Sequence, residues 1–212
     1  MVDYAEAIKR PFSDLGKLTI GIILSIIPIV NLLTSGYLLK IASTAMKGRM
    51  ELPEWKDFGS LFINGILAAI VGIVYMIPVL IVLGILVFLG FMTVPAIEGL
   101  AVLSAPAAIL GAIMGLGVYL FVLLIVAIIF ALLSTAAVLR FADTEKFGEA
   151  FNFGEVTRTA FRGSFILNWI IVIVIGSIIS AILSLIPVIG AMIGIFIVGV
   201  FMYTVLGEVY AE

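Results

Sequence analysis

Four stretches of the chain carry no charged residue: 18–39, 58–97, 99–139 and 163–207, of 22, 40, 41 and 45 residues. About 20 apolar residues suffice to cross a bilayer. Each stretch therefore holds at least one membrane segment, and the last is too long for one. The polar residues gather between them, at 3–17, 40–57 and 140–162. All eleven Lys and Arg side chains fall in those three segments. Short basic loops stay on the cytoplasmic side of a membrane, so the three should share one face. An even number of crossings must then separate each from the next.

Between Lys17 and Lys40 there is room for only one full crossing, which conflicts with that requirement. A turn resolves the conflict. In "IILSIIPIVNLL", 22–33, Pro28 removes a backbone donor and clashes with the preceding helical turn, and Asn31 is suited to cap a second helix. The expected pair is a short helix from Ser13 to Ile27, re-entrant or oblique and shielded from lipid by protein, and a second from Asn31 to Met46. The stretch "AILSLIPVIGAM", 181–192, repeats the motif, identical at five of the nine positions 182–190. It divides the last span into helices of 164–186 and 190–208, with Pro187 at the turn. The match is explained by an internal duplication or, more simply, by a shared local turn.

The middle region holds one charge, Glu98. Two long helices, 60–92 and 101–139, are expected there, separated by the loop-like "TVPAIEGLAVLSAP" with Glu98 outside the membrane. Four shorter helices are the alternative. Both long helices exceed the hydrocarbon thickness, so tilt, kinks at Pro78 and Gly115 or an exposed end must absorb the excess. The expected fold is all-α, a polytopic transmembrane helical bundle of about six membrane segments with two proline-turn hairpins and both termini cytoplasmic; eight segments are the alternative. It forms one integral membrane domain, 1–212: an N-terminal hairpin and first cytoplasmic loop (1–57), a central helix pair (58–139), an amphipathic cytoplasmic loop (140–163) and a C-terminal hairpin (164–212).

Composition agrees with the pattern. Apolar residues make up 64% of the chain, charged residues 11%, and mean hydropathy is +1.39, which no soluble core absorbs. Lys9, Arg10 and Lys17 precede the first apolar stretch as they would in a secretory signal, but no small-residue cleavage site follows and further spans do, so the N-terminus is expected to be retained. Without Cys there are no thiol nucleophiles or thiolate metal sites, and without His the commonest metal ligand and proton shuttle are missing.

The segment "SGYLLKIASTAMKGRMELPEWKDFGSLFINGILAAIVGIVYMIP", 35–78, resembles the pattern of the archaeal membrane proteins grouped as domain of unknown function 4013. The matching residues are Gly36, Tyr37, Leu52, Pro53, Trp55, Asp57, Phe58, Gly59, Leu61, Phe62, Gly65, Tyr75 and Pro78. The stretch "LRFADTEKFGEAFNFGEVTRTAF", 139–161, is similar to the family's second polar loop. The resemblance implies a multi-pass protein of the archaeal plasma membrane and no particular activity.

The first loop, "KGRMELPEWKDFG", offers Arg49, Trp55 and Lys56 as candidate contacts to lipid or to a protein partner, although aromatic belts and flanking cations serve equally as plain membrane anchors. In the second loop, Phe151, Arg158 and Arg162 are candidates of the same kind. Apolar residues there recur at spacings of three and four, so short amphipathic helices on the membrane surface are expected. Ser177, Ser180 and Ser184 share one helix face and form a candidate intramembrane polar face, which close helix packing also explains. The pairs Gly111/Gly115 and Gly190/Gly194 have small-residue spacing for the same use. Asp143, Glu145 and Glu149 match no metal-ligand loop and read as a solvated acidic loop.

No catalytic grouping, phosphate-cradling loop or metal cluster is present in the sequence, so no enzyme activity and no cofactor are expected. The favoured function is a membrane scaffold or a lipid- or small-molecule-binding membrane protein. An uncoupled transporter or channel is the alternative, since broken helices favour transport and scarce intramembrane charge disfavours ion coupling. A lipid-modifying enzyme ranks third. The expected partners are membrane lipids, a second copy of the chain or a cytoplasmic protein, and no nucleic acid.

Overall fold

A computed structural model describes residues 2–103, 105–186 and 189–212, with the side chains of all of these except 93–103, 105–109, 112 and 189. The described residues are mostly helical, with no strand among them. In chain order the helices are α1 (Tyr4–Lys9), α2 (Leu15–Ile26), α3 (Asn31–Met46), α4 (Phe58–Leu103), α5 (Ala105–Thr144), α6 (Phe153–Ala160), α7 (Gly163–Leu183) and α8 (Ile189–Ala211). Single 3-10 turns, Arg10–Phe12 and Phe147–Phe151, follow α1 and α5.

Among the described residues four helical stretches are long and apolar enough to cross a membrane: Phe58–Met92, Ile113–Thr144, Gly163–Leu183 and Gly190–Ala211. Helix α2 is apolar but shorter. Its N-terminus is set by Asp14, whose carboxylate accepts the Lys17 backbone N–H at 3.0 Å and is held below the ordinary carboxylate range by that bond. Asp3 caps α1 in the same way, accepting from Ala5 and Glu6.

The break expected at Pro28 is present: α2 ends at Ile26 and α3 begins at Asn31. The expected capping by Asn31 is not. Val30 holds the cap position in helical geometry with no side-chain bond, and the Asn31 N–H itself reaches back to the Ile27 carbonyl at 2.7 Å. The backbone thus closes the turn unaided. At the C-terminal hairpin the chain leaves α7 at Leu183 and re-enters a helix at Ile189. Pro187 itself lies outside the described residues. Helix α4 passes through Pro78 without ending, unlike the chain at Pro28. The loop expected between residues 92 and 101 is instead helical, since α4 continues to Leu103 and α5 begins at Ala105; the expected exterior placement of Glu98 falls outside the described side chains.

The chain divides into two compact units, 1–72 with 134–212, and 73–133. In the first, α8 is the central helix. Just over half (56%) of its apolar window is buried, against 17% or less in the other three spans. Phe196, Val200, Phe201, Val205 and Leu206 are fully enclosed, and α8 packs on α3 and α7, with α2 and α1 beside it. Lipid tails are as apolar as these side chains, so association inside a bilayer rests on close packing rather than on water exclusion. Gly21 on α2 illustrates this: a Cβ there would lie 2.2 Å from the Phe196 ring. The second unit carries large apolar side chains outward, among them Ile73, Met76, Leu80, Phe88, Ile113 and Phe121. That surface suits lipid.

Candidate functional site

The polar segments of the first unit assemble around the C-terminal end of α3. There the Gly48 N–H bonds the Ala45 carbonyl at 2.9 Å and the Arg49 N–H bonds the Thr44 carbonyl at 2.9 Å. This is the paired bonding of a Schellman cap, and it needs the left-handed residue that Gly48 supplies at φ +68°. The chain leaves this cap with the carbonyls of Arg49 and Glu51 turned toward Arg10.

Arg10, 2% exposed, occupies the resulting hollow. Its Nη2 donates to Thr44 Oγ1 (2.8 Å) and to the carbonyls of Arg49 (3.0 Å) and Glu51 (3.2 Å). Its Nη1 donates to Thr204 Oγ1 on α8 (2.9 Å) and to the Ile41 carbonyl (3.5 Å). One guanidinium therefore ties the N-terminal segment, the first loop, the end of α3 and α8 together. A cation at a helix C-terminus is also favoured by the helix dipole. Burial pulls the guanidinium down to about 10, so it remains charged at neutral pH.

Beyond Arg10 the loop folds back over α2 and α3. Leu52 is buried, and its carbonyl accepts from Lys17 Nζ at 2.8 Å. The Tyr37 hydroxyl donates to the Pro53 carbonyl at 2.8 Å. The Trp55 ring stacks on Tyr37 with centroids 3.8 Å apart and planes 5° from parallel, while its Nε1 donates to the Lys17 carbonyl at 3.1 Å. Phe196 of α8 extends the stack. Lys17 further pairs with Glu54 at 3.1 Å and Asp14 at 3.5 Å.

The loop then delivers the chain into α4, which crosses α3 at backbone contact. A Cβ on Gly36 would stand 1.9 Å from the Leu61 carbonyl oxygen, and one on Gly65 would stand 1.8 Å from that of Leu32. The two glycines are reciprocal, each clearing space for the opposite backbone. Next to this crossing lies a cavity of about 190 Å³, lined by Lys40, Ser43, Lys56, Asp57, Asn64 and Glu145 with an apolar floor of Leu39, Leu61 and Phe141.

The second loop reaches the same end of the unit. Arg140 bonds the Glu149 carboxylate through Nη2 at 2.7 Å and Nε at 3.2 Å, which holds Glu149 below the ordinary carboxylate range. Phe147 packs edge-on against Phe141 and Phe151. As expected, α6 is amphipathic, burying Val156, Thr159 and Ala160 while exposing Phe153 and Arg158. Helix α1 is tied to α7 by the Tyr4 hydroxyl, which donates to Asn168 Oδ1.

Of the residues singled out from sequence, Trp55 is spent on the Tyr37 stack, Lys56 lines the cavity, and Arg49 contributes its backbone carbonyl while its side chain is exposed. Phe151 is half-buried against Phe147, and Arg162 Nη1 reaches the Val209 carbonyl at 3.4 Å. Ser177, Ser180 and Ser184 share a face as expected, but that face is exposed. The packed face of α7 is instead Phe165, Asn168, Val172 and Gly176. Gly111 and Gly115 have nothing near them among the described atoms, whereas Gly190 meets the Leu183 carbonyl. Asp143, Glu145 and Glu149 do not converge; among the described residues no three carboxylates are placed to hold a metal ion. Arg10 and Thr204 escaped the sequence-based selection.

Four apolar spans among the described residues, each almost free of charge, define a multi-pass α-helical membrane protein. Residues 20–188 match the family model described as protein of unknown function (DUF4013), and the chain belongs to that family. No curated protein and no solved structure matches it. Seven of the thirteen residues that carried the resemblance, Gly36, Tyr37, Leu52, Pro53, Trp55, Leu61 and Gly65, form one physical unit: the loop strapped to α3 and the crossing beneath it.

Proposed function

We propose that this protein is a non-enzymatic component of the plasma membrane, a scaffold or lipid- or small-molecule-binding protein that works through a pre-organised polar face. The observation that carries this is the Arg10 hub, which locks together the N-terminal segment, the first loop and α8 in the unit that also holds a polar cavity. A face ordered by buried bonds loses little entropy when it binds. The partners would be membrane lipids, with a second copy of the chain or a cytoplasmic protein as further candidates.

In this proposal α4, α5, α7 and α8 cross the membrane, and α2 and α3 form a re-entrant hairpin, making six membrane segments with both termini cytoplasmic. At about 1.5 Å per residue the 12 residues of α2 reach about 18 Å, short of a hydrocarbon core of about 30 Å. A hairpin that returns to its own side keeps the crossings even. Contacts of Arg10 with the first loop, and a cavity shared by Lys40, Lys56 and Glu145, support a common face for the three basic segments.

The test is solute flux through vesicles containing the purified protein. The proposal expects no protein-dependent flux together with saturable binding of lipid or solute. Selective, saturable flux would overturn it in favour of an uncoupled transporter.

A further inference from the structure

At the polar end Lys17 pairs with Asp14 and Glu54, and Arg140 with Glu149 and Glu155. The charged side chains that line the 190 Å³ cavity are not paired in this way. Among the described residues Lys40, Lys56, Asp57 and Glu145 enter no ion pair, and the one bond from these side chains is a long one from Lys40 Nζ to the Glu54 carbonyl at 3.4 Å. Two cations and two carboxylates therefore border one hollow without neutralising each other. A donor set and an acceptor set both stay open to an occupant.

The backbone marks the same place. Asp57 (φ +57°) and Glu145 (φ +56°) are the non-glycine residues of positive φ among those described. One stands where α4 begins and the other where α5 ends, and both line the cavity. Such conformations cost stability and persist where the surroundings impose them. The floor is of another character. Asn64, half-buried and inside the apolar span, makes no hydrogen bond through its side chain among the described residues, and Leu39, Leu61 and Phe141 lie beside it.

We propose that this cavity binds a small zwitterionic group, its phosphate or carboxylate held by Lys40 and Lys56 and its ammonium by Asp57 and Glu145. Two charges of each sign suit an occupant that carries both. At about 30 Å³ per water the volume holds about six waters, room for a head group rather than a nucleotide. That group could be the head of a bilayer lipid or a free solute. The proposal rests on the binding role given above and assigns it a place.

The full chain in phosphatidylglycerol nanodiscs is titrated with soluble phosphoethanolamine, and lipid retained from mixed phosphatidylethanolamine and phosphatidylglycerol discs is counted by native mass spectrometry. Saturable phosphoethanolamine binding assigns a free solute, and enrichment of phosphatidylethanolamine assigns a lipid head; either supports the proposal. Lys56→Gln and Glu145→Gln should each weaken the effect about tenfold or more, the loss of one charge-assisted bond. Asn64→Leu, which fills the floor and leaves every charge in place, should weaken it too. Phosphate alone and ethanolamine alone should bind at least tenfold more weakly than phosphoethanolamine. Absence of both binding and enrichment in the unaltered chain overturns the proposal, as does equal binding by either half. Binding that all three variants leave unchanged also overturns it, while leaving the general binding role in force at another place.

Discussion

Arg10 Nη1 donates to Thr204 Oγ1 at 2.9 Å, joining the first helical segment to the last across 194 positions of sequence. The same guanidinium satisfies the carbonyls of Ile41, Arg49 and Glu51. Arg10→Ala should therefore cost about 3 kcal/mol, because it removes several charge-assisted bonds and strands buried acceptors. In a chain of this length that is a fall of about 10 °C in Tm. Arg10→Lys should recover less than half, since an ammonium cannot reproduce the planar fork. Thermal unfolding followed by size-exclusion fluorescence in detergent checks both; a fall under 2 °C for Arg10→Ala would contradict the hub.

The α3–α4 crossing separates two glycines of the family pattern. Gly36→Ala places a methyl group where the Leu61 carbonyl stands, so the helices must part at a cost of about 2 kcal/mol. Gly59, in the first turn of α4, has open space around it. Gly59→Ala should be neutral or stabilising by up to about 1 kcal/mol from helix propensity. The paired unfolding measurement is the check, with equal losses for both as the opposing result.

A pH effect is expected at the second loop. The Arg140 guanidinium holds Glu149 below its ordinary value of 4.5, so the folded state binds this proton more weakly than the unfolded state. The stabilisation is complete above about 4.5 and is lost as pH falls through the lower folded value. Amide exchange at Phe147–Phe151, corrected for intrinsic rates, should stay constant from pH 6 to 8 and accelerate below pH 4. In Glu149→Gln the acid acceleration should vanish.

The hairpin break before Asn31 was legible because the charge rule demanded a turn and Pro28 supplied one. The loop residues Leu52, Pro53 and Trp55 stood out by type. Arg10 did not, because three of its five acceptors are backbone carbonyls, which leave no signature of residue type. Asn31 suggested a cap through its side chain, yet the turn closes through its N–H. The serine stripe on α7 promised a packed face, but Gly176 faces Val198 on α8 and admits a closer approach on the neighbouring face. The cavity draws its charges from the end of α3, the start of α4 and the end of α5, a meeting that only tertiary folding reveals.

The most direct test of the common polar face uses the absence of native cysteine. Single cysteines are introduced as Arg49→Cys, Asp143→Cys and Leu185→Cys, all at exposed positions, and intact cells are treated with a membrane-impermeant thiol reagent. With the three basic segments inside and the α7–α8 turn outside, Leu185→Cys is labelled, whereas Arg49→Cys and Asp143→Cys react only after the membrane is opened. Labelling of Arg49→Cys from outside while Asp143→Cys stays protected would place the first and second loops on opposite faces and contradict the account.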